Sequence, residues 1–217
     1  LDLLRPPDPS CPDAELALRA YAHWGTRCAE HLSGDFAFAV WDAVAQQLYC
    51  ARDALGVRVL HYYFDGARFI FASEIKGILA CPGVSRQLNE EKIGLFLALD
   101  EGPADQTFYR GVHRLPAGCY LTVSRAGLSR HTYWQPSLED RIVYPRAKDY
   151  SDRFLELFKN AVRSRLRSPG PVGVMVSGGL DSSSVYCVAQ TLLREGAAPT
   201  PQVQTFSWVF HELRSVD

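Results

Sequence analysis

"VMVSGGLDSSSV", residues 174–185, decides how the second half of the chain folds. An apolar run ends at Val176. Two glycines and four serines then crowd around Asp181, and Val185, Val188, Ala189 and Leu192 follow at helical spacing, with Gly196 as a stop signal. "PVGVMV" (171–176) reads as a short buried strand and "VQTFSWVF" (203–210) as a second. A strand–helix–strand unit requires a parallel, right-handed crossover. Residues 172–176 and 204–209 are therefore expected as neighbouring parallel strands, with 182–195 packed across them.

In an open parallel sheet, ligands gather at the carboxyl ends of the strands. The first N–H groups of a helix lack internal partners and carry partial positive charge. Gly178 and Gly179 would let the backbone approach an anion closely, and the Ser177 and Ser182 hydroxyls would add donors. A phosphate or pyrophosphate suits this chemistry. Asp181 would repel it unless a cation such as Mg²⁺ bridged the two. The loop has no lysine, so it is not the G-x-x-x-x-G-K-[ST] pattern. The plainer alternative is a tight strand-to-helix turn with a Ser/Asp cap.

Working towards the N-terminus, "AKDYSDRFLELFKNAVRSRLR" (147–167) places Phe154, Phe158, Val162 and Leu166 four apart, predicting a long amphipathic helix. "QPSLEDRIVYPR" (135–146) has two prolines and no period, so a boundary is expected there. Before it, the pattern is different. "DAELALRAYAHW" (13–24) is helical, "FAFAVWD" (36–42) alternates, and "QLYCARD" (47–53) is a second strand. "VLHYYFDGARFIFAS" (59–73) turns at Asp65-Gly66, so 36–72 predicts four consecutive antiparallel strands. A short helix is expected over 74–79, and Asn89 caps another. Residues 115–134 read as a hairpin around Arg125–Gly127.

The bulk numbers narrow the function classes. A net charge of −1 over 217 residues gives no field for non-specific nucleic-acid binding. Cys11, Cys28, Cys50, Cys81, Cys119 and Cys187 are scattered without C-x-x-C spacing, so reduced thiols of a cytosolic protein are expected and zinc is not. No apolar run approaches the ~18 residues of a membrane span, and no signal segment is visible. "LDLLRPPDPS" reads as interior sequence, so an internal fragment is expected.

"SGGLDSS" following "PVGVMV" resembles the pyrophosphate loop of the ATP-pyrophosphatase superfamily. "LSGDFAFAVWD", "ARDALGVRVLHYY", "FASEIKGILA" and "LPAGCYLTV" resemble, in that order, successive blocks of the glutamine-hydrolysing asparagine synthetase family, whose relatives include β-lactam synthetases and lasso-peptide cyclases. The resemblance implies two parts. Residues 1–140 would be a partial α+β glutaminase-like domain of N-terminal-nucleophile (αββα) type. Residues 147–217 would begin an α/β parallel-sheet ATP-pyrophosphatase domain. It further implies that Val176, Ser177, Gly178, Gly179, Asp181, Ser182 and Trp208 bind ATP or pyrophosphate, and that Asp181 ligates Mg²⁺. Val176 and Trp208 would face the adenine. Asp13, in "CPDAELALRAY", would hold the α-amino group of glutamine; its alternative is an acidic residue in a helix's first turn. No catalytic residue is assigned, because neither an N-terminal cysteine nor an Asn-Gly-Glu oxyanion segment occurs in the chain. Glu74 matches an acidic position near the domain interface, with its role open.

The implied activity is an ATP-dependent amide-forming ligase. A carboxylate (aspartate or another) is adenylated, and glutamine-derived ammonia then displaces AMP. The alternatives are a lasso-peptide cyclase or β-lactam synthetase-like enzyme with an inactive glutaminase-like domain, or a non-catalytic binding module. Partners would be small molecules, with a peptide for a cyclase and a homodimer as the assembly; nucleic acid and membrane are not expected, and the setting would be cytoplasmic. Arg52 and Asp53 read as a structural ion pair at a turn, and the histidines as solvated or hydrogen-bonded. Val59 and His61 stand where the family usually has proline and tyrosine, the mark of a divergent member.

Overall fold

The computed structural model describes residues 11–209. The chain separates into two compact units, the first ending at Leu138 and the second starting at Glu139.

In the first unit, α1 (Asp13–Trp24) runs into a 3-10 turn over Gly25–His31. Four strands follow, β1 (Ala37–Asp42), β2 (Gln47–Arg52), β3 (His61–Phe64) and β4 (Phe69–Ala72). Then come α2 (Ile75–Leu79), α3 (Glu90–Leu97), β5 (Val112–Arg114), β6 (Cys119–Ser124) and β7 (Gly127–Thr132). All sheet pairings in this unit are antiparallel, as the alternation predicted. The four strands between 36 and 72 do not share one sheet, however. β1 and β2 join β6 and β7 in the order β1-β2-β6-β7, while β3 and β4 join β5 in the order β4-β3-β5.

Both faces of β2 are covered, and its side chains divide between two cores. Cys50 packs with Leu60, Tyr62, Leu115, Cys119 and Leu121, which come from both sheets and their connections. Tyr49 and Ala51 point the other way, onto Ala20 of α1 and Cys28 and Ala29 of the 3-10 turn. A third core sets Ile78 of α2 against Val112 of β5 and Ile70 of β4. The layers are thus helix, sheet, sheet, helix. In β1 the small Ala37 and Ala39 face the other sheet and Phe38 faces the helix layer, so close sheet packing selects alanine.

Turns are fixed by single side chains. Asp65 Oδ1 accepts the N–H of Ala67 (3.0 Å) and of Arg68 (2.7 Å), closing the β3–β4 hairpin. Asn89 caps α3 through the Lys92 N–H. Arg52 and Asp53 depart from the expected ion pair. Arg52 forms no salt bridge among the described residues; it donates to the carbonyls of Arg58 (2.6 Å), Leu115 (2.7 Å) and Gly56. Asp53 accepts the N–H groups of Val57 and Arg58, each at 2.9 Å. Consecutive residues of an extended chain point to opposite sides, so adjacency in sequence does not pair them. Gly118 joins the same region. Its N–H donates to the Asp53 carbonyl (2.9 Å), and its own carbonyl accepts the N–H groups of Tyr133 and Trp134.

In the second unit, α4 (Ala147–Arg165) leads to β8 (Val172–Met175), α5 (Leu180–Arg194) and β9 (Val203–Phe206). β8 and β9 pair in parallel, Val172 opposite Val203 and Met175 opposite Phe206, as the strand–helix–strand reading required. The core is Val162, Leu166, Ala189, Leu192 and Val203, packed by Val172 and Val174. The helix begins two residues earlier than expected and the second strand ends at Phe206, leaving Trp208 beyond it. Gly173 makes room for the Phe206 ring: a Cβ there would lie 2.9 Å from it.

Candidate functional site

The serine-glycine loop leaves the carboxyl end of β8. The Val176 N–H donates to the Phe206 carbonyl (2.8 Å), extending the parallel ladder by one bond. Ser207 Oγ donates back to the Val176 carbonyl (2.7 Å). The chain then bends at Gly178, whose φ of 82° favours glycine and whose missing Cβ would face open space. Ser182 staples the loop: its Oγ accepts the Ser177 N–H (3.2 Å), lies 3.2 Å from Ser177 Oγ and reaches the Gly179 carbonyl at 3.4 Å. The two hydroxyls therefore hold the loop's own shape.

The N–H groups from Gly178 to Ser182 make no hydrogen bond among the described residues, and the first such bond of α5 is from Ser183 N–H to the Gly179 carbonyl. These donors lie at the positive end of α5, where Ser177 through Asp181 are exposed to solvent and Ser182 is half-buried. Asp181 is exposed in the helix's first turn beside them. Trp208 is 79% exposed, two residues past the end of β9. The structure thus brings Val176, Ser177, Gly178, Gly179, Asp181, Ser182 and Trp208 to the same end of one two-stranded sheet. Sequence reading missed Ser207 and Gly173, whose roles depend on a neighbour about 30 residues away.

In the first unit, Asp13 opens α1 and lines a cleft of about 580 Å³. Its walls are Ala14 and Ala17 of α1, the stretch Asp35–Phe38 entering β1, the loop residues Val57, Arg58 and Val59, and Ser73. Its walls carry both signs of charge, from Asp13, Asp35 and Arg58, beside the apolar Val57 and Val59. No cysteine lines this cleft. A second hollow of about 500 Å³, among the hairpin turns with Trp41, Phe64 and Arg125, has no acidic residue on its walls. Glu74 is exposed and paired with Lys76 at 2.6 Å; it follows Ser73 of the Asp13 cleft but does not itself line it.

Among the described residues, no three His, Cys, Asp or Glu side chains gather as a metal cage. No helix there is long and apolar enough to cross a membrane.

The helix–sheet–sheet–helix unit and the glycine-rich loop after it define the class. Residues 9–134 match the glutamine amidotransferase domain family, and residues 153–217 match the asparagine synthase family. The chain belongs to the glutamine amidotransferase domain family, and the resemblance to glutamine-hydrolysing asparagine synthetases holds. It is 35% identical to asparagine synthetase [glutamine-hydrolyzing] 3 of Bacillus subtilis over 92% of this chain and 32% of that protein. It is 34% identical to amidase chry2 of Gibberella zeae, over 85% of this chain and 27% of that one. A second Bacillus subtilis protein, asparagine synthetase [glutamine-hydrolyzing] 1, is 28% identical over 92% of this chain and 30% of its own length. The chain thus spans about a third of the length of these relatives. Among solved structures, glutamine phosphoribosylpyrophosphate amidotransferase from B. subtilis aligns over 94% of this chain and 44% of its own, at 13% identity and a TM-score of 0.35, too loose a likeness to carry an argument.

Proposed function

We propose that the chain is part of an ATP-dependent amide-forming ligase of the asparagine synthetase type. The observation that carries it is the row of unbonded N–H groups from Gly178 to Ser182, at the carboxyl end of a parallel strand pair, in a segment that matches the asparagine synthase family. In this reading an acceptor carboxylate, aspartate or another, attacks the α-phosphate of ATP. Pyrophosphate leaves, and ammonia released from glutamine displaces AMP. The loop N–H groups hold the pyrophosphate as it departs, where negative charge builds up. Val176 and Trp208 flank the adenine from the strand ends.

Asp181 fits a Mg²⁺ only as a shared ligand. Among the described residues no group of three His, Cys, Asp or Glu side chains forms a metal cage, so Asp181 would hold the ion together with the phosphate oxygens of the nucleotide. When bound, Mg²⁺ neutralises the charge between carboxylate and pyrophosphate. In the first unit, Asp13 accepts the α-ammonium of glutamine, and Val57 and Val59 face its methylenes. The reading carries with it a cytoplasmic setting and assembly as a homodimer.

The test uses the intact enzyme and follows pyrophosphate and glutamate release together. Asp181→Ala should cut pyrophosphate release roughly 100-fold or more while glutamate release stays near wild type. Pyrophosphate release that survives the substitution would exclude the loop as the nucleotide site.

A further inference from the structure

The wall of the Asp13 cleft made by Val57, Arg58 and Val59 belongs to a stretch, 53–60, with no regular secondary structure. Leu60 anchors its end in the core, but apolar burial does not hold its middle: Leu55, Val57 and Val59 are all exposed. Two charged side chains beneath it are buried, Arg52 at 7% and Asp53 at 1% exposure. Neither lines the cleft. Both direct their charge at main-chain groups. The Arg52 fork donates to the carbonyls of Gly56, Arg58 and, across the unit, Leu115. The Asp53 carboxylate takes the Val57 N–H on one oxygen and the Arg58 N–H on the other. Gly56 lies directly under the guanidinium, with φ 67° and only 2.9 Å between its would-be Cβ and Arg52 Nη2. Together they bond four polar groups of residues 56–58, the N–H groups and carbonyls on which the wall's shape depends.

We propose that Arg52 and Asp53 are positioning residues for this cleft. They set the backbone of 56–58, and so the distance between the valine wall and Asp13, without touching what binds there. The occupant is an α-amino acid with a short methylene chain, glutamine on the reading above, and the inference rests on that reading for its kinetic consequence. A shift of the wall loosens substrate binding and leaves the later bond-breaking step alone.

The experiment uses the intact protein with glutamine, and with added ammonium in its place. Asp53→Asn keeps the shape but turns one acceptor oxygen into a donor. We expect the glutamine KM to rise roughly 10-fold with kcat within about 2-fold, ammonium-driven synthesis unchanged, and faster hydrogen exchange at the Val57 and Arg58 amides. Arg52→Lys should raise KM less than Arg52→Met, since an ammonium still reaches part of the carbonyl set. It serves as the readout should Asp53→Asn fold poorly. Thr107→Val is the comparison for stability alone. It removes a buried hydroxyl that bonds the Val112 carbonyl, away from the cleft, and should lower Tm with KM unchanged. Asp53→Asn behaving like Thr107→Val, with lower Tm but unmoved KM and exchange, overturns the proposal. A wild-type protein that releases no glutamate from glutamine defeats the glutamine reading instead, and exchange at Val57 and Arg58 then decides the positioning by itself.

Discussion

His61 titrates against its surroundings. Burial lowers its pKa; the Ser73 carbonyl, 3.1 Å from Nδ1, opposes this, and the Arg114 and Arg52 cations add to the lowering. As pH falls below the free value of 6.5, the unfolded chain takes up this proton before the folded one does. The resulting contribution is present above that pH and lost below it. His61→Tyr should therefore flatten the fall in Tm between about pH 7 and pH 5 relative to wild type. At Asp13 the expected effect is on binding. Asp13→Asn should raise the glutamine KM of the intact enzyme roughly 10-fold, near the low end for a lost charged hydrogen bond because the site is open to water; an unchanged KM would return Asp13 to a plain first-turn acid. The placement of Asp13 at the start of α1 and of the serine-glycine loop between β8 and α5 was legible because each sits in a short local string. The work of Arg52 was not, since one of its three carbonyls belongs to Leu115, 63 residues away.

At the scale of elements, alternation showed which side chains share a face but not which strands share a sheet. Period two is the same in β2 and β3, yet the loop between them, bent under Arg52, carries the chain from one sheet to the other, and the link from β5 to β6 carries it back. β5, with three residues, is too short to show a period and was not read at all. Glycine positions repeat the lesson. Gly118 looks like any turn glycine, but a Cβ there would lie 2.3 Å from the Trp134 carbonyl oxygen, at a φ of 63°. Gly118→Ala should cost about 3 kcal/mol or more in chemical denaturation. Gly127→Ala, also at positive φ but facing open space, should cost only about 1 kcal/mol. Equal losses would show that the close approach to Trp134 contributes nothing.

For the molecule as a whole, the change of pattern was the legible part: alternating apolar residues before 135, helical spacing and a strand–helix–strand unit after 146. From Tyr133 to Arg146 the chain has neither helix nor strand, and Leu138, Ile142 and Val143 are exposed. Limited proteolysis should cut first within 135–146, yielding two resistant pieces; an early cut inside β1–β7 would contradict the division into two units. What the sequence could not convey was the depth of the second unit's open face. Met175 and Phe206 lie on the side of β8–β9 away from its core, and both are exposed. An apolar run in sequence looks the same whether one face or both are covered.

Holding a binding wall by its main chain also shapes how the protein can evolve. Besides the Leu115 carbonyl, Arg52 and Asp53 bond only N–H and C=O groups of residues 56–58; Gly56 is fixed by its positive φ and the guanidinium against it, but at 57 and 58 every residue type except proline supplies these groups in full. Side chains at 57–59 can drift in a lineage while the scaffold keeps its outline. Selection can then retune what the cleft admits one substitution at a time, at little cost to folding. Val59, replaced by proline, would be a change of this kind. Its N–H takes no part in the Arg52–Asp53 set, so either residue leaves the wall standing.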